Sequence, residues 1–147
     1  MPNAIPQLLI PAAVLAAISD HVQGAFPNEA CGFLIGEHSH DGALVRQALA
    51  TPNSAAWEDQ PRAYAIDPRD WIRTEQQVRA QGLAIIGIYH SHPNQSPTIS
   101  QTDIAALWPN LFYLIIAGGS QRHAPPSAWR LDADLAVPER CQVRLTD

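Results

Sequence analysis

At 147 residues, 46% of them hydrophobic and 16% charged, the chain has the length and apolar content of one domain over 1–147, burying roughly two-thirds of its unfolded surface, and not of a disordered segment. Its formal charge is -5 and its nine basic residues are all arginines, no two adjacent, so it lacks the electrostatic footprint of a phosphate-backbone binder and nucleic acid is not an expected partner. The longest apolar runs, 83–89 and 111–117, fall well short of the ~20 residues that span a bilayer. Met1 to Ile10 lacks a basic n-region, and Cys31 and Cys141 form no Cys-x-x-Cys pair, so the expectation is a cytoplasmic protein with no membrane partner.

Pro11 suits a first helical turn, and Val14, Leu15, Ile18 and Val22 recur at helical spacing, which predicts an amphipathic helix over 11–25 that stops before Pro27. Two short apolar runs, 30–36 and 43–50, flank His38-Ser39-His40-Asp41-Gly42, whose Asp-Gly step signals a hairpin. Residues 51–62, rich in Pro, Asn, Ser and Ala, read as a long surface loop. Asp67 as N-cap with Pro68 behind it starts a second helix that carries Trp71, Ile72 and Val78 and ends near Gly82. The nearly continuous apolar run 83–90 predicts a strand covered on both faces. Ser100 can cap a third helix carrying Ile104, Ala105 and Leu107, with Pro109 as its terminator, and runs 111–117, 128–131 and 141–145 complete the strands. The fold class this order suggests is α/β (α+β), a mixed sheet flanked by helices.

Tyr89-His90-Ser91-His92-Pro93, followed by Ser100-Gln101-Thr102-Asp103, is the segment that carries chemistry. Histidines two apart on a strand project to one face, so both imidazoles can reach a single ion. Seven residues separate His92 from Ser100, enough for a loop that returns the next helix over the strand end with Asp103 one turn in. Two imidazole nitrogens and one carboxylate oxygen at about 2.0–2.2 Å are a catalytic zinc set whose fourth position is open to water, and the ion lowers the pKa of that water to about 7. Attack still needs a general base. Glu29 qualifies if the strand that follows it neighbours 83–90, and Ser100 could donate a hydrogen bond to the oxyanion, a role beside that of helix N-cap.

Asn28-Glu29-Ala30-Cys31-Gly32-Phe33-Leu34-Ile35-Gly36, then His90-Ser91-His92-Pro93, then Ser100-x-x-Asp103 resemble the signature of the JAMM (MPN+) zinc metallopeptidases, with every motif position filled and in order. Asn53 and Tyr64-Ala65-Ile66-Asp67-Pro68 are similar to the middle of small bacterial members, so the resemblance covers roughly 10–118. It implies a JAMM/MPN fold, a curved mixed sheet flanked by helices, similar to that of cytidine deaminases. It further implies His90, His92 and Asp103 as ligands of one zinc per chain, Glu29 as general acid/base, Ser100 as oxyanion donor, and peptidase or isopeptidase activity. Eukaryotic ubiquitin-cleaving members carry insertions that grip ubiquitin, for which the His123-Ala124-Pro125-Pro126-Ser127 connection is too short. The compact form resembles bacterial members that cleave after the C-terminal Gly-Gly of ubiquitin-like sulfur-carrier proteins, which makes such a protein the implied substrate and partner.

Other readings stand beside these. His38-Ser39-His40 is a second H-x-H, but with no Ser-x-x-Asp downstream it reads as solvated loop. Cys31 has no basic neighbour in sequence and reads as buried packing rather than a nucleophile. Asn53 and Trp57 are candidates for the border of a substrate groove. A zinc nucleoside deaminase would need H-x-E with P-C-x-x-C, and the chain has neither. The remaining alternative is a catalytically inert MPN scaffold that binds a partner protein. Loss of a ligand residue marks that class, none is lost here, and a metal assay separates the two.

Overall fold

The computed structural model describes residues 5–132, 134 and 136–147. Among them the chain runs β1 (Gln7–Pro11), α1 (Ala12–Ala25), β2 (Cys31–Ser39), β3 (Gly42–Thr51), α2 (Pro68–Arg79), β4 (Ala84–Pro93), α3 (Gln101–Ala105), β5 (Phe112–Gly118), β6 (Ser127–Leu131) and β7 (Pro138–Thr146). The strands line up as β1-β3-β2-β4-β5-β6-β7 in one mixed sheet, curved far enough for β7 to pair in parallel with β1 and close it into a barrel. Among the described residues no helix is long and apolar enough to cross a membrane.

β4 lies in the middle of the order, antiparallel to β2 and parallel to β5, and its residues 86–92 are buried without interruption. Its continuous apolar pattern follows from cover on both faces. α1 turns Ile18 and Val22 into the larger core, with Leu8, Ile10, Leu34, Ile86, Tyr89 and Leu114. On the other face α2 contributes Val78 to a second core with Phe33 and Ile35, and Trp71 meets Phe33 edge-on at 5.4 Å between ring centroids. Each fully buried Leu, Ile or Phe stabilises the fold by about 1.5–3 kcal/mol relative to exposure, so the two helices hold β4 from both sides.

α2 starts as expected: the Asp67 carboxylate accepts from Arg69 N at 2.8 Å, Pro68 occupies the first turn, and Gly82 at φ +74 lies beyond the helix end. Three expectations change. β1 was not anticipated: five residues alternate in burial, and what stabilises them is parallel pairing with β3 and β7 from far along the chain, which leaves no local signal. Pro11 consequently ends β1 and caps α1 instead of lying in its first turn. The hairpin is tighter than 38–42, because pairing continues to Ser39 opposite Gly42 and leaves His40 and Asp41 as the turn. A Cβ at Gly42 would run into the Gln7 carbonyl oxygen, so glycine is what lets β1 approach β3 there. Finally, α3 stops at Ala105 and does not reach Leu107; Pro109 instead bridges to Leu131.

Candidate active site

Because β4 alternates, His90 and His92 share a face at its C-terminal end, with their Nε2 atoms 3.3 Å apart. The loop that follows is pinned against the next strands: Asn94 N donates to Gly118 O at 2.9 Å, Asn94 Oδ1 accepts from Ser120 N at 2.9 Å, and the Ser127 hydroxyl donates to the Pro97 carbonyl. That loop delivers the start of α3 over the strand end. There Ser100 and Asp103 form a capping box, in which Asp103 N donates to Ser100 Oγ and Ser100 N donates to Asp103 Oδ2, both at 3.0 Å. The same carboxylate turns its oxygens to the histidines, Oδ1 at 3.2 Å from His90 Nε2 and Oδ2 at 3.1 Å from His92 Nε2. Ligand atoms at tetrahedral corners about 2.0–2.1 Å from a zinc ion lie ~3.3 Å from one another, so the spacing of the three donors fits that ion.

Hydrogen bonding and burial act differently on the two imidazoles. His92 Nδ1 lies 3.0 Å from the Ser96 carbonyl, which accepts its hydrogen and leaves Nε2 free to bind a cation. Burial lowers the pKa of His90, against the pull of Asp103, which favours the neutral imidazole a metal requires. Burial also works to lower His92, but Asp103 and the Ser96 carbonyl outweigh it and the pKa rises. For Asp103 burial pushes upward, yet hydrogen bonds from His90, His92 and Ser100 N hold it well below the usual carboxylate range. A fixed carboxylate facing two imidazoles is a cation site by charge as well as by distance.

Glu29 lies two residues before the start of β2 and is 7% exposed. Cys31 pairs with His90, so Ala30 lies opposite Ser91, and the two are stitched by Ala30 N to Ser91 Oγ at 2.8 Å and Ser91 N to Ala30 O at 3.1 Å. Glu29 N donates to Gln60 O at 2.7 Å, and its carbonyl accepts from Asn53 Nδ2 at 3.1 Å. These ties aim Glu29 into the groove shared with His92, Ser100 and Asp103. Burial, opposed by His92 and assisted by Asp103, raises its pKa to about 7, near the operating pH of a general base. Ser100 Oγ accepts the cap hydrogen bond and keeps its own O–H for a substrate oxygen, so its two expected roles are compatible.

The other candidates sort differently. Among the described residues Asn53 and Trp57 do not line the groove. Asn53 is a strut: its amide donates to Glu29 O and Ala63 O and accepts from Ala55 N and Ala65 N. Trp57 stands 81% exposed on a short 3-10 turn. Cys31 is buried, its thiol is pushed up to about 12 by burial and Glu29, and it points at the Thr51 carbonyl, as a packing residue does. Sequence reasoning assigned no role to Tyr64, whose ring stacks on His90 at 4.4 Å with 21° between planes. Its only signal was membership of the 64–68 stretch.

The groove has a volume of about 940 Å³ and runs from Glu29 and Asp103 across Ile88 and Ile85, between segment 64–66 with α2 and the turn carrying Trp108. Ile72 and Trp108, 55% and 69% exposed, stand at its rim. Along its wall Ala63 O, Ala65 N and Ala65 O are bonded to Asn53 and Ser54, whereas among the described residues the main-chain groups of Tyr64 and Ile66 have no partner. Alternate pairing of this kind leaves a strand-like edge open.

A family model described as prokaryotic homologs of the JAB domain matches residues 11–132. The chain is 35% identical over 105 residues to a desampylase of Haloferax volcanii, covering 70% of this chain and 72% of that one. It is 28% identical over 133 residues to the CysO-cysteine peptidase of Mycobacterium tuberculosis, covering 90% and 87%. The solution structure of a protein from Desulfitobacterium hafniense superposes with a TM-score of 0.79 at 26% identity, over 95% of this chain and 93% of that one.

Proposed function

The chain belongs to the prokaryotic JAB family, and from that premise we propose that it works as one zinc-dependent JAMM domain hydrolysing an amide bond at the C-terminus of a ubiquitin-like or sulfur-carrier protein. The observation that carries the reading is two imidazole nitrogens 3.3 Å apart, each 3.1–3.2 Å from an oxygen of the Asp103 carboxylate, with Glu29 lining the same groove. His90, His92 and Asp103 would hold the zinc ion, which supplies Lewis-acid polarisation of the scissile carbonyl and brings the pKa of water to about 7.

Glu29 takes a proton from the attacking water as the C–O bond forms and the carbonyl oxygen becomes an oxyanion, then delivers that proton to the departing amine nitrogen, so that the C–N bond breaks as the carbonyl re-forms. The Ser100 O–H donates to the developing oxyanion. The substrate tail lies extended along 64–66, exchanging backbone hydrogen bonds with the open groups of Tyr64 and Ile66. Glycines suit this path because they bring no side chain against the apolar floor at Ile85 and Ile88. The names of the relatives support the substrate class, and two unpaired buried thiols support a reducing, cytoplasmic setting.

The test is a small ubiquitin-like protein ending in Gly-Gly plus a short extension. Intact mass spectrometry should find cleavage after the second glycine. Equal cleavage when bulky residues replace the glycines would defeat the channel argument, and a zinc-free protein with full activity would defeat the assignment. The inert-scaffold reading predicts a protein that binds such a partner with no zinc and no product.

A further inference from the structure

Among the described residues, one buried side-chain polar atom has no hydrogen-bond partner: Nδ1 of His90, on a side chain that is 1% exposed. Metal-binding imidazoles are ordinarily oriented by a hydrogen bond from the second ring nitrogen to a carboxylate or carbonyl. His92 has that support in the Ser96 carbonyl, and His90 lacks it. What meets His90 is the Tyr64 ring, stacked face to face at 4.4 Å. The Tyr64 hydroxyl makes no hydrogen bond among the described residues, so the ring is what joins this residue to the site.

The position of that ring is itself determined. Ala63 O and Ala65 N, on either side of Tyr64, both bond the Asn53 amide, and the same amide donates to Glu29 O. One side chain thus ties the segment that carries the stacked ring to the main chain of Glu29, the residue proposed as base. An imidazole that gives its lone pair to a cation becomes electron-poor, and the negative face of a phenol ring attracts it. Stacking here therefore contributes to cation affinity as well as to packing.

We propose that Tyr64 is a positioning residue for the metal, its ring face orienting His90 in place of the absent hydrogen bond to Nδ1. The proposal rests on reading His90 as a ligand. Its test is zinc affinity, measured by competition with a chromophoric chelator, on the wild type, Tyr64→Phe and Tyr64→Leu. Tyr64→Phe keeps the aromatic face and should bind zinc within about threefold of wild type, while Tyr64→Leu should lose about ten- to a hundredfold, as losing the support of a ligand does. The visible spectrum of the cobalt-substituted protein should shift for Tyr64→Leu and not for Tyr64→Phe.

A Tyr64→Leu protein with wild-type affinity and an unshifted cobalt spectrum overturns the proposal while leaving the site intact. A wild type that binds no zinc overturns both together. Should Tyr64→Leu fail to fold, the decision passes to the zinc-loaded wild type: the carbon-bound ring protons of His90 should resonate upfield of those of His92, under the Tyr64 ring current. Their absence from that position overturns the stack as the orienting contact.

Discussion

Glu29→Gln separates what the site costs the fold from what it does for the reaction. Burial lifts the Glu29 carboxyl from its ordinary 4.5 to about 7. A carboxyl whose folded pKa lies above its unfolded one binds more protons in the folded state, so its ionisation destabilises the protein as pH rises. Below about pH 4.5 the group is protonated in both states and costs nothing; the cost grows from there to about pH 7 and is constant above. A tenfold change in proton affinity is worth 1.36 kcal/mol, which makes the full cost on the order of 3 kcal/mol. Gln keeps the size and removes the charge. In protein stripped of metal, urea titrations should therefore find the two proteins equal near pH ~4.5 and the variant ahead by ~3 kcal/mol near pH ~8. Zinc favours the carboxylate and should shrink that advantage. In the zinc-loaded variant turnover should fall at least ~100-fold with metal content nearly unchanged. A stability difference that ignores pH, or appears only in acid, refutes burial as the origin of the raised pKa. A variant that loses its zinc makes Glu29 a ligand, and near-normal turnover removes it from the mechanism.

Asp103→Ala deletes a donor and half of the capping box, so zinc by elemental analysis and cleavage should vanish together; zinc retained at one per chain would count against Asp103 as a ligand. Ser100→Ala should keep its zinc, lose ~1 kcal/mol with the cap, and lose up to ~100- to 1000-fold in turnover. If the only change is in stability, Ser100 is a cap alone. Acidification should release zinc as the imidazoles protonate, near ~6.5 for an unperturbed histidine, and metal content that stays flat below pH ~4 speaks against histidine ligands. N-methylating successive residues of a peptide tail should raise KM at every second position, because alternate N–H groups of a strand face the same edge; a uniform effect refutes pairing with 64–66.

How much of this was legible in the chain depends on whether the cause was local. Asp67-Pro68 and Gly82 announced the ends of α2 because caps and left-handed stops are chemistry of adjacent residues. The uninterrupted run before His90 announced a strand covered on both sides, as the burial of 86–92 bears out. β1 was silent, since Leu8 and Ile10 are strand residues only by virtue of β3 and β7, the latter more than a hundred residues away. The parts that Asn53 and Tyr64 play were silent for the same reason, although both residues belong to the stretches that carry the family resemblance. One is a strut to Glu29 and the other a stack on His90, and neither relation has a spacing that a sequence can display.

Ser100-x-x-Asp103 shows why the motif reads so clearly yet leaves its roles undivided. The spacing of three is what a capping box demands, because Ser100 Oγ must reach Asp103 N while the Asp103 carboxylate reaches back to Ser100 N. Asp103 Oδ2, held by that return bond, is also the oxygen 3.1 Å from His92. The cap therefore orients the proposed ligand, and α3 needs no length to do so: five residues suffice because its work is done in the first turn. Ser100→Ala deletes the bond from Asp103 N to Ser100 Oγ but keeps the Ser100 N–H that holds Asp103 Oδ2, so it loosens the first turn from which the proposed ligand projects. For that reason Ser100→Ala has to be judged on zinc content, stability and turnover measured together, with intact zinc and lost turnover the combination that assigns the hydroxyl to the reaction.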